Sequence, residues 1–91
     1  MQDALSKVGG KKYKTVFSHG DLGPHNMIWN DGRIVIIDWE RAGWFPEYWE
    51  YTRAYDAHGY MKDWWKKFKE VVDVYEDELE LEVRISEYFE R

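Results

Sequence analysis

Three side chains in the first half of the chain could together act on a phosphate: Asp21, Asn26 and Asp38. Asp21 lies in His19-Gly20-Asp21-Leu22-Gly23-Pro24-His25-Asn26, where two glycines and a proline rule out any regular element. Phosphoryl transfer asks little covalent chemistry of a protein. It asks for a carboxylate to orient the attacking hydroxyl and for oxygen donors to hold Mg²⁺ on the phosphates. Magnesium takes hard oxygen ligands, one or two of them carboxylates, completed by water and phosphate. Asp21, Asn26 and Asp38 supply such groups. Taken alone, Asp21 would read as a turn residue, since Asp-Leu-Gly-Pro is good turn chemistry. His19, Asp21 and His25 are loosely spaced and lack a fourth ligand, so a zinc site is disfavoured against an oxygen-rich one.

The elements that must position these groups follow from the surrounding pattern. Thr15-Val16-Phe17-Ser18 is short and β-prone. Met27-Ile28-Trp29-Asn30 and Arg33-Ile34-Val35-Ile36-Ile37 flank Asp31-Gly32, a strong hairpin signal. Four consecutive apolar positions in the second arm predict a strand covered on both faces. A two-residue Asp31-Gly32 turn sets Asn26 opposite Ile37 and turns Asp38 to the other face. A three-residue turn from Asn30 sets Asn26 opposite Ile36, so that Asn26 and Asp38 share a face. A shared metal favours the second register.

Upstream, residues 3–8 read as a short helix, and Gly9-Gly10 with Lys11, Lys12 and Lys14 as a solvated loop. Downstream, Pro46 predicts a first helical turn, Glu47 and Glu50 suit its dipole, and His58-Gly59 suits its end. Met61, Trp64, Trp65, Phe68, Val71, Val72 and Tyr75 then fall on one helical face, read as core. Trp39 and Trp44 are read as core rather than as a substrate wall. Residues 78–86 alternate like a strand but are mostly helix formers, with Glu80 and Arg84 at i,i+4, and the helix is preferred.

The stretch His19-Gly20-Asp21-Leu22-Gly23-Pro24-His25-Asn26, followed by Ile37-Asp38-Trp39-Glu40, resembles the aminoglycoside phosphotransferase and choline kinase-like family. That family has a protein-kinase-like fold and phosphorylates small molecules. Ala42-Gly43-Trp44-Phe45-Pro46-Glu47-Tyr48-Trp49-Glu50-Tyr51 is similar to fungal members. The resemblance implies that Asp21 is the catalytic base positioning a small-molecule hydroxyl, with ATP as donor. It implies Asn26 and Asp38 as Mg²⁺ ligands, His19 as a buried loop-shaping residue, and Glu40 as a second acidic group near metal or substrate. No glycine-rich strand-turn-strand and no strand lysine for the nucleotide phosphates accompany these motifs. The expectation is therefore an α+β carboxy-terminal lobe fragment over residues 1–91, a short strand and a β-hairpin packed on two or three helices. The amino-terminal nucleotide lobe is absent from it, and catalysis by this chain alone is weak or missing.

Composition narrows the alternatives. The chain has 91 residues, no cysteine and a net charge of −5, which argues against general nucleic-acid or anionic-membrane binding. No apolar run reaches the ~18 residues of a membrane span, and the opening residues lack a signal-peptide core, so a cytoplasmic setting is expected. Aromatic residues make up 19%, more apolar area than so short a chain readily buries. That surplus fits either a missing lobe or self-association. Two function classes remain: an ATP-dependent phosphotransferase lobe, and a non-catalytic remnant that acts as an interaction module.

Overall fold

A computed structural model describes residues 2–89; Met1, Glu90 and Arg91 lie outside the described residues. The chain runs through α1 (Gln2–Val8), β1 (Thr15–Ser18), a 3-10 turn (Pro24–Asn26), β2 (Met27–Asn30), β3 (Arg33–Ile36), β4 (Gly43–Pro46), α2 (Trp49–His58), α3 (Lys62–Val71) and α4 (Glu76–Phe89). It is α+β, as expected. No helix among the described residues is long and apolar enough to cross a membrane.

The strands form two separate antiparallel pairs, β1 with β4 and β2 with β3. In the hairpin Met27 faces Ile36 and Asn30 faces Arg33, which leaves a two-residue turn at Asp31-Gly32. Both turn residues have positive φ, 52° and 79°, the signature of the tight turn that matches strand twist. This overturns the three-residue register that a shared metal favoured: Asn26 stands opposite Ile37, and the Ile37 amide donates to the Asn26 carbonyl at 2.9 Å.

β4 was not anticipated. Pro46 ends this strand opposite Thr15 instead of opening a helix. A proline has no amide to give a ladder, and a two-stranded edge tolerates that. The aromatic pair Trp44-Phe45 favours extended backbone, which delays the helix to Trp49. Glu47 is thereby freed from a helix terminus. Its carboxylate accepts the Lys14 amide at 2.9 Å and the Tyr75 hydroxyl at 3.0 Å, clamping the entry of β1 to the segment after α3.

The core is small. Tyr51 and Ala54 of α2 pack against Trp65 and Phe68 of α3, with Leu22, Met27, Trp64, Val72, Tyr75 and Leu79 partly buried around them. The aromatic stripe is therefore core only in part. α3 stops at Val71, whose side chain is exposed. Val72 and Tyr75 return to the core from the non-helical link before α4. Trp39, Trp44 and the apolar arm of β3 are exposed, against the expectation that they would be covered.

The ambiguous last segment is a helix. Glu76, Asp77 and Glu78 in its first turn favour the positive end of the dipole. α4 packs along α1 with an ion pair Lys7–Glu80 at 2.9 Å, and holds the loop after α1 through Lys11 to Asp77 at 3.0 Å and Glu78 at 3.1 Å. The lysine cluster is thus partly engaged rather than wholly solvated. Glu78 is buried and also receives the Tyr13 hydroxyl.

Candidate functional site

His19 organises the loop that precedes β2. It is buried, at 3% exposure. Its Nδ1 accepts the Asp21 amide at 3.1 Å, so that nitrogen bears a lone pair. Its Nε2 lies 2.8 Å from the Ile37 carbonyl, which can only accept. The ring is therefore the neutral Nε2–H tautomer, with both nitrogens committed. It ties the loop to the exit of β3 and has no lone pair left for a metal. Trp39 stands edge-on to it at 4.7 Å and anchors its own indole N–H on the Ile36 carbonyl at 2.9 Å.

Gly20 makes the sharp turn before Asp21 with φ of +86°, and a Cβ there would lie 2.5 Å from the Arg41 carbonyl oxygen. Its amide donates to Glu50 Oε2 at 3.1 Å, so α2 also grips the loop. Leu22, packed against the core, pins the segment from beneath.

Asn26 is buried at 2% exposure and faces back along the loop. Its Nδ2 donates to the Asp21 carbonyl at 2.8 Å and lies 3.2 Å from Asp21 Oδ2 and 3.1 Å from His25 Nε2. A carbonyl cannot donate, so the amide orientation is fixed by chemistry and Oδ1 is left available. Asp21 itself is partly exposed, which suits a carboxylate that must meet a hydroxyl.

Asp38 follows the last hairpin pair. Its φ of 61° is left-handed, unusual for a residue with a side chain. Strand alternation therefore ends before Asp38, and parity no longer decides its face. Asp38 and Glu40 are exposed, and neither makes a hydrogen bond or ion pair among the described residues. The structure thus brings His19 and Asn26 each into contact with Asp21. It places Asp38 at the hairpin mouth next to Ile37, and it does not join Glu40 to the others. The donor set, a free carboxamide oxygen and a free carboxylate, fits Mg²⁺.

Two functional neighbours were missed by sequence reasoning. Glu50 was read only as a helix-dipole residue, yet it holds the Gly20 amide. His58, read only as a helix end, stands beside His25 with ring centroids 4.9 Å apart. Burial pulls its pKa down, the neighbouring His25 adds to this, and Asp21 partly opposes it. A Cβ on Gly23 would fall 2.1 Å from His58 Nε2, so the glycine makes room for the ring. The only sequence signal for that contact is Gly23 itself, and it does not name its partner.

No curated protein and no solved structure matches the chain. The family model described as Phosphotransferase enzyme family (APH) matches residues 2–85. With nearly its whole length matched, and with the loop and hairpin built as described, the chain belongs to the APH phosphotransferase enzyme family.

Proposed function

We propose that this chain is the catalytic-loop lobe of a small-molecule kinase, passing the γ-phosphate of ATP to a hydroxyl. The observation that carries the reading is the Asp21–Asn26 pair. A buried carboxamide, fixed by the Asp21 carbonyl, holds the Asp21 carboxylate in place and keeps its own oxygen free. Asp21 would accept the proton as the substrate oxygen forms its bond to phosphorus and the ADP oxygen leaves. Asn26 Oδ1 and the Asp38 carboxylate would hold Mg²⁺, which when bound neutralises charge on the phosphates. His19 positions Asp21, and Glu40 stands ready as an outer acidic group. We take the domain to run the length of the chain, in a cytoplasmic setting, and similar to fungal members of the family.

The reading includes a lobe-scale division of labour. Among the described residues, none of the four strands carries a lysine, and none is joined to its neighbour by a glycine-rich phosphate loop. A nucleotide lobe would therefore come from elsewhere, and the exposed apolar side chains of β1–β4 support a covering partner. The same observation favours a second reading, a non-catalytic interaction module.

Amide NMR of the labelled chain with added Mg-ATP separates them. Shifts confined to residues 19–40 support the phosphotransferase site. No response at millimolar ligand favours the module. ADP release is the companion assay: Asp21→Asn should abolish any rate above background, and equal rates from both proteins would rule out catalysis through Asp21.

A further inference from the structure

Asp21, His25 and His58 each offer one ligand atom, and these atoms lie within 4.8 Å of one another. We infer that they form a second metal site, distinct in chemistry from the oxygen-rich Mg²⁺ site, selective for a divalent transition ion of the zinc type.

The donor set is the first reason. Two imidazoles and one carboxylate with an open fourth position are borderline-soft ligands that suit zinc far better than magnesium. The geometry is the second. Ligands at ~2.0–2.1 Å in a tetrahedron stand about 3.3 Å apart. His25 Nε2 is already 3.5 Å from Asp21 Oδ2. With no pair of ligand atoms more than 4.8 Å apart, the His58 ring has at most about 1.5 Å to close, and it sits at the last residue of α2.

The state of the donors is the third. His25 Nε2 lies 3.1 Å from the Asn26 Nδ2, whose hydrogens can only be given, so that His25 nitrogen carries no proton and an ion would take its lone pair in exchange for that one hydrogen bond. His58 Nε2 is buried and has no hydrogen-bond partner, a costly state that an ion would relieve. The C-terminal end of α2 adds a negative partial charge beside the same ring. Access is the fourth reason. A shallow cleft lined by Pro24, His25, His58, Tyr60 and Met61 runs beside both rings and gives an ion an approach to the covered His58 Nε2. His19, the one other histidine, is excluded because both its nitrogens are spent on the backbone.

Occupation would take the Asp21 carboxylate out of proton transfer, so zinc would silence the proposed kinase reaction. That consequence rests on the phosphotransferase reading; binding does not, and the test reads binding.

The imidazole nitrogens of the intact chain can be followed by long-range ¹H–¹⁵N NMR during titration with zinc chloride. The His25 and His58 signals should move at stoichiometric metal while those of His19 stay fixed, an internal control in the same tube. His25→Gln changes a half-exposed side chain and leaves the core alone. It should weaken zinc binding by more than about tenfold, the least that even an outer-shell loss costs. His58→Gln should do the same where it folds. The proposal is overturned by ring signals that do not respond to millimolar zinc, by His19 moving with the others, or by His25→Gln holding zinc as tightly as the parent.

Discussion

His19 and Gly20 fix the loop in different ways, and the difference is measurable. His19 uses both ring nitrogens to hold backbone, whereas Gly20 contributes by lacking a side chain. Gly20→Ala meets the left-handed penalty of ~1–2 kcal/mol and also a backbone clash that cannot relax by rotamer change. Gly32→Ala in the hairpin turn meets the backbone penalty alone, since nothing lies within 4 Å of its new Cβ. Urea titrations should therefore show Gly20→Ala the more destabilising by at least about 1 kcal/mol. Equal losses would mean the Arg41 contact is not rigid. Asp21 and Asn26 stand out in the sequence by residue type and spacing, and the structure brings the two side chains together. The left-handed backbone of Asp38 was not, because a φ angle set by the chain reversal after β3 has no local residue signature. His58 was hidden for a different reason: it reaches the site through tertiary packing, thirty-three residues beyond His25.

Among the elements, α4 is tied by charge to α1 through Lys7–Glu80 and to the loop that follows α1, where Glu78 is the centre of the joint. Burial alone would raise its pKa, but the hydrogen bonds from Tyr13 and Lys11 outweigh it and hold the carboxyl below the ordinary glutamate value. Burial and the same carboxylate push Tyr13 up to about 12. A lowered carboxylate stabilises the fold above its unfolded pKa, about 4.3, and that contribution is lost as pH falls through the folded value. Glu47 acts in the same direction through the Lys14 amide and Tyr75. Glu82, raised chiefly by burial, opposes them. Urea midpoints should fall as pH drops below about 4.5, and Glu78→Gln should flatten that limb. A Glu78→Gln protein with the parent's pH slope would assign the acid sensitivity elsewhere. Tyr13→Phe should cost ~1–3 kcal/mol at neutral pH by leaving a buried carboxylate short of a donor. The helices were largely legible, since amphipathic spacing and end signals are local. β4 was not, because an aromatic pair before a proline serves a strand end and a helix start equally well until a partner strand decides.

The whole molecule is loosely built for its mass. It exposes 6905 Å², where a compact chain of its size exposes roughly 5,700 Å². Its radius of gyration is 14.3 Å, against about 12 Å for a compact domain of this length. Part of the excess lies on the strands, where Trp29 is 72% exposed and Trp44 70%, and part on and beside the helices, at Tyr60, Val71 and Phe89. Sequence reading saw the aromatic surplus but not its placement, since composition does not say which rings find cover. Core and strand faces should therefore respond oppositely to truncation. Phe68→Ala should cost ~3–5 kcal/mol, and Trp29→Gln within about 0.5 kcal/mol, read from denaturant midpoints. A large loss for Trp29→Gln would show that the hairpin face is covered in solution.

The two strand pairs share no strand, and the β2–β3 hairpin meets the helical core through Met27 at its base while Ile28, Trp29, Ile34 and Val35 stay exposed. Asn26 borders that hairpin and Asp38 leaves it, so assembling the site and folding the core are separable equilibria. Native-state hydrogen exchange should detect this as two tiers of amide protection. The hairpin amides, Ile37 among them, would exchange through a local opening that low denaturant hardly affects, while amides of α2 and α3 follow global unfolding. A ligand bridging Asn26 and Asp38 would then slow exchange at the hairpin far more than in the helices. In this molecule, ligand binding would be the last folding step of the site.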